Sequence, residues 1–118
     1  MKTEYKDCIN RLNDAWNSHK LDEILEFYSD DFKLYSPSGA KMLGLENGLF
    51  SGKKDVGQWW QRVLDKLPDL SFETLNISLS SDEKHAAWIF KSSHSDKTVV
   101  SIFTFNEAGK ICHEYFFE

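Results

Sequence analysis

Val63-Leu64-Asp65-Lys66-Leu67-Pro68-Asp69-Leu70 is where the chain changes its period. Upstream of Pro68, the residues Val56, Trp59, Trp60, Val63, Leu64 and Leu67 recur at the three- and four-residue spacing that lines one helix face. This predicts a helix over 54–67, with Pro68 just past its end, where a residue lacking an N–H cannot prolong it. Downstream the period falls to two. Four strands are predicted, Leu70 to Leu79, His85 to Ser93, Lys97 to Asn106 and Ile111 to Phe117. The hairpin-like turns Ser80-Ser81-Asp82-Glu83, Ser95-Asp96 and Glu107-Ala108-Gly109 join them.

Toward the N-terminus, Tyr5, Cys8, Ile9, Leu12, Ala15 and Trp16 mark a first helix that runs to about Asn17. Leu21, Ile24, Leu25 and Tyr28 mark a second, with Asp22 and Glu23 in its first turn and its end at Ser29-Asp30. Phe32, Leu34 and Ser36 alternate with Lys33 and Tyr35 in a short strand that Pro37 stops. The stretch from Pro37 to Lys53 carries Gly39, Gly44, Gly48 and Gly52. It is predicted to be a long loop and a candidate lid, with a short strand around Met42 or Leu49-Phe50. Helices followed by strands give an α+β domain, with three helices from the N-terminal half gathered on one face of a mainly antiparallel sheet.

At 118 residues the chain has the length of a single domain, 1–118, and 41% hydrophobic with 28% charged residues is the composition of a globular protein. A net charge of −5 and no basic run longer than Lys53-Lys54 argue against nucleic acid as a partner. No apolar run approaches the roughly 20 residues that span a bilayer, and Met1-Lys2-Thr3-Glu4 leads into a polar amphipathic segment; the expectation is a cytoplasmic protein with no membrane partner. Cys8 and Cys112 lack zinc or redox spacing and read as two small buried hydrophobes. No His and carboxylate residues have spacing that argues for a metal.

Three stretches together resemble the superfamily named after nuclear transport factor 2, which includes ketosteroid isomerases, scytalone dehydratase and polyketide cyclases of the SnoaL type. They are Ala15-Trp16-Asn17-Ser18-His19-Lys20-Leu21-Asp22 running into Phe27-Tyr28-Ser29-Asp30-Asp31-Phe32; Leu67-Pro68-Asp69-Leu70; and Phe105-Asn106-Glu107-Ala108-Gly109-Lys110-Ile111. The resemblance implies a strongly curved sheet, an α+β barrel or cone of cystatin-like topology, and a homodimer formed through the outer sheet face, where Ile89, Val100 and Ile102 would lie. Alignment with the isomerases places Leu12 at their oxyanion-hole tyrosine, Ser36 at their general-base aspartate and Ser101 at their protonated aspartate. All three are altered, so ketosteroid-type isomerisation is not expected.

On the same topology the inward set would be Trp16, Tyr28, Trp60, Trp88, Phe90, His94, Ser101, Phe103, Glu114 and Phe116. That is an apolar cup with few polar groups, suited to a small apolar or aromatic molecule. Glu114 is the first candidate acid or base, because a carboxyl facing an apolar cone titrates nearer neutrality. His94, in phase with Trp88 and Phe90, is the second, unless its hairpin end leaves it solvated. If the last strand has the opposite phase, Glu114 faces solvent and His113 takes its place. His19 and His85 read as surface residues, and Asp30-Asp31 as solvated. Three functions follow: a cyclase-, dehydratase- or isomerase-like enzyme working without a cofactor, a non-catalytic ligand-binding domain, or an adaptor using the outer sheet face.

Overall fold

The stripe from Tyr5 to Trp16 folds as helix α1 (Lys2–Asn17), burying Ile9, Leu12, Ala15 and Trp16. It ends where His19 adopts a left-handed backbone (φ 59°) and the Lys20 N–H turns back to the Ala15 carbonyl. The computed structural model describes residues 2–37 and 49–117. Among them are two more helices, α2 (Leu21–Leu25) and α3 (Gly52–Lys66), and six strands. The strands are β1 (Tyr28–Tyr35), β2 (Leu49–Ser51), β3 (Phe72–Leu79), β4 (His85–Ser92), β5 (Thr98–Phe105) and β6 (Ile111–Phe117). Among the described residues no helix is long and apolar enough to cross a membrane.

The strands form one open sheet in the order β2-β1-β6-β5-β4-β3. The four predicted strands make an antiparallel meander, and β1 joins it by parallel pairing with β6. Irregularities between Thr74 and Asn76, between Thr104 and Phe105, and between Tyr28 and Lys33 bend it. α1 packs against β3, α3 against β1, and the core fills the space between helices and sheet. This is the expected α+β cone. Gly57 lets α2 and α3 meet closely: a Cβ there would come within 3.3 Å of Leu25 Cδ1, so that side chain would have to give by a few tenths of an ångström. The last turn needs Gly109, whose φ of +78° is left-handed. Asn106 braces that turn, its Oδ1 accepting from the Ala108 and Lys110 N–H groups at 3.0 Å each.

Two expectations are corrected. The second helix stops at Leu25, and Tyr28 opens β1 instead of closing a helix, because it pairs with Ile111 while the Phe27 carbonyl accepts the Ile111 N–H at 2.9 Å. The last strand also does not split into two simple alternating sets. Phe105 pairs with Ile111 but Thr104 pairs with His113, so Cys112 is an extra residue in the ladder. Ile111 and Glu114, three apart, both point inward and are 0% and 5% exposed. The short strand around Leu49-Phe50 is present as β2; the alternative at Met42, and most of the candidate lid, lie outside the described residues.

Candidate functional site

Between α1, α3 and the concave sheet face lies a cavity of about 270 Å³. All four tryptophans of the chain line it: Trp16 from α1, Trp59 and Trp60 from α3, and Trp88 from β4. Alternation on β4, β5 and β6 adds Phe90, Ser101, Glu114 and Phe116. Of the predicted inward set, Tyr28 and Phe103 are not in the wall. Both are buried behind it, at 2% and 0% exposure.

The aromatic wall is ordered by its own contacts. Trp16 meets Trp60 edge to face at 5.2 Å, and Trp88 stacks on Phe90 at 3.9 Å. The Trp88 indole N–H donates to Thr74 Oγ1 at 2.9 Å, and that hydroxyl donates to Asn13 Oδ1 on α1 at 3.1 Å. A buried indole is thereby satisfied, and its ring plane is tied to the helix. Asn17 makes a second tie, accepting from the Phe72 N–H at 2.7 Å and donating to the Phe72 carbonyl at 3.1 Å. Neither link between α1 and β3 is visible in spacing along the chain.

Among the described residues Glu114 is the one carboxylate in the wall. Its Oε1 accepts from the Tyr28 hydroxyl at 2.6 Å and its Oε2 from the Ser101 hydroxyl at 3.0 Å. Burial pushes its pKa from 4.5 up to about 7, and the two hydroxyl donors hold it back from rising further. Tyr28, deprived of water and facing that carboxylate, has its own pKa raised well above 10, so it remains a proton donor. The result is a carboxyl group fixed at both oxygens that titrates near neutrality.

His94 also lines the cavity, at the exposed end formed by the β4–β5 turn. Its side chain is 34% exposed, and Nε2 lies 2.7 Å from Asp69 Oδ1. That hydrogen bond, first among several causes, lowers the Asp69 pKa. No hydrogen bond joins His94 to Glu114; the two share a cavity, with separate partners. His113 is on the other sheet face, its ring parallel to that of Tyr115 at 6.2 Å, which settles the phase of the strand in favour of Glu114. His19 is no plain surface residue: its Nε2–H donates to the Leu70 carbonyl at 2.6 Å. His85 is exposed beside Asp82, and Asp30 and Asp31 are exposed.

Ser36 and Ser101 both line the cavity, whereas Leu12 lies wholly within the core. A serine hydroxyl at Ser36 cannot do the work of a carboxylate base. Phe72, Trp59 and Asp69 belong to the site or its rim, although the predicted inward set did not include them. Trp59 and Trp60, adjacent members of the predicted helical stripe, both reach the cavity. Among the described residues no group of three His, Cys, Asp or Glu side chains is placed to share a metal ion.

The family model described as the SnoaL-like domain matches residues 9–114. A SnoaL-like protein of unknown function from Burkholderia thailandensis has a TM-score of 0.87 at 28% identity, with 95% of this chain and 92% of that one covered. The epoxide hydrolase/cyclase-like enzyme SalBIII, connected with pyran ring formation in the polyether salinomycin, has a TM-score of 0.73 at 18% identity, with 99% and 93% covered. A candidate polyketide cyclase of Sinorhizobium meliloti has a TM-score of 0.75 at 18% identity, with 99% of each chain covered. At 18% the likeness is one of fold. No curated protein matches the chain.

Proposed function

The chain belongs to the SnoaL-like family of the nuclear transport factor 2-like superfamily, and on that premise we propose that it is a cofactor-independent acid–base enzyme acting on a small cyclic substrate. The observation that carries this reading is Glu114, set in the wall of an apolar cavity with each carboxylate oxygen held by a hydroxyl donor. Ionised, it takes a proton from a C–H or O–H group of the substrate; protonated, it returns that proton to another substrate atom. Cyclisation, dehydration and isomerisation each need such a transfer. Tyr28 and Ser101 keep the carboxylate aimed, since a fixed geometry removes most of the cost of orienting the reacting groups.

His94 is the second group of the reading. Asp69 accepts its Nε2–H, which leaves Nδ1 as the ring nitrogen that takes a proton and, once protonated, can return it. Size bounds the substrate: about 270 Å³ is the space of about nine waters at roughly 30 Å³ each, enough for one or two fused rings. Small cyclic ketones and their amino-substituted analogues, incubated in D2O, test the chemistry. NMR is expected to show enzyme-dependent loss of α-proton signals, abolished in Glu114→Gln and slowed in His94→Ala. Unchanged exchange in both variants would refute the assignment.

The alternative of a ligand carrier uses the same cavity without chemistry, and a ligand recovered unaltered after native purification would favour it. As to assembly, Ile102, Tyr115 and Phe117 are 37–44% exposed on the outer face, with Ile89 and Val100 beside them. This apolar stripe supports the homodimer expected from the resemblance. A monomer by light scattering at micromolar concentration would count against it.

A further inference from the structure

The charge and the lining of the cavity narrow the class of molecule it admits. Among the described residues no Lys or Arg lines it, so nothing there would neutralise a carboxylate or phosphate. All four tryptophans line it, and aromatic rings attract cations that approach their faces. The carboxylate in its wall, Glu114, accepts a hydroxyl hydrogen bond at each oxygen. That arrangement suits an acceptor-only anion better than a neutral acid presenting its own O–H to a carbonyl. A second carboxylate, Asp69, stands behind His94 at the mouth.

We infer that the cavity takes a small organic cation, a protonated amine carrying one or two rings, with the ammonium group against Glu114 and the rings among the tryptophans. This deepens the proposed acid–base function and rests on the same site, but it concerns binding and does not require turnover. The bound cation replaces the water that burial denies to the Glu114 carboxylate, so each charge stabilises the other. An anionic analogue of the same shape meets a carboxylate with no compensating cation among the described residues and is rejected.

Three probes of matched skeleton test the inference: 2-aminoindane, 2-indanol and indane-2-carboxylate, titrated into the intact protein by calorimetry at pH 8. The amine is expected to bind at least about tenfold more tightly than the alcohol, and the acid not measurably. Glu114→Gln keeps the shape of the side chain and is expected to cut the preference for amine over alcohol by about tenfold. Because that variant alters a buried group, Trp59→Leu at a half-buried position supplies a second measure; it should weaken the amine more than the alcohol. Equal affinity for amine and alcohol, binding of the carboxylate, or no saturable binding of 2-aminoindane would overturn the inference. An amine preference without proton exchange on any ketone would instead overturn the enzymatic reading and leave this one standing.

Discussion

Glu114→Gln should remove a pH dependence of folding stability that the natural chain carries between about pH 4.5 and 7. The folded-state pKa of Glu114 is about 7 against 4.5 for a solvated glutamate. Below 4.5 the group is protonated folded and unfolded, and it costs nothing. Between the two values the unfolded chain has released its proton while the folded chain retains it, so stability falls as pH rises. Above about 7 both states are ionised, and the loss is complete. At 1.36 kcal/mol per pKa unit the total is about 3 kcal/mol. That is a large part of the roughly 5–15 kcal/mol by which domains are stable. Urea denaturation of both proteins at half-unit steps from pH 4.5 to 8 gives the difference in unfolding free energy. Other titrating groups cancel in the subtraction. The difference should move by about 3 kcal/mol in favour of the variant and level off above pH 7. A difference constant to within about 0.5 kcal/mol would refute the claim that burial governs this carboxyl.

Tyr28→Phe removes a donor that holds the Glu114 pKa down, so the stability loss and any acidic limb of the activity profile should extend to higher pH than in the natural chain; an unmoved limb, followed by the NMR shift of the Glu114 carboxyl carbon, would show the bond to be idle. Phe103→Ala empties a fully buried site behind the cavity wall, where the ring packs between Trp88 and Phe105, and should cost about 3–5 kcal/mol in chemical denaturation. Gly109→Ala has open space for its methyl group, so only the left-handed backbone is penalised; a loss of about 1 kcal/mol is expected, and no loss would mean that the turn relaxes. His94→Ala should leave the denaturation midpoint nearly unchanged, because its hydrogen bond with Asp69 is at the exposed mouth, while slowing proton exchange on the substrate.

The division of the chain at Pro68 and the positions of the helices and hairpins were legible because they rest on local periodicity and turn chemistry. Tyr28 misled for a physical reason. Leu21, Ile24, Leu25 and Tyr28 have the spacing of a helix face, yet a five-residue helix has little stability of its own, and pairing of Tyr28 with Ile111 in the sheet prevails. The cavity wall was largely legible too, since Trp88, Phe90 and Ser101 follow strict alternation. What ties it to α1, the chain from Asn13 through Thr74 to Trp88, spans elements far apart in sequence. No spacing rule addresses such a link.

The facing of Glu114 shows most clearly where sequence reading stops. A period of two cannot place Ile111 and Glu114 on one face, so the pattern offered two registers, one with Glu114 inward and one with His113. The structure takes part of each. Ile111 faces the core as the second register requires, the ladder gains Cys112, and from His113 onward the strand follows the first. One inserted residue therefore lets the strand begin by closing the base of the core and still deliver a carboxylate to the cavity three positions later. Without it, burying Ile111 would expose Glu114 and turn His113 and Tyr115 inward. The chemistry proposed for the cavity thus depends on a backbone irregularity as much as on the identity of residue 114.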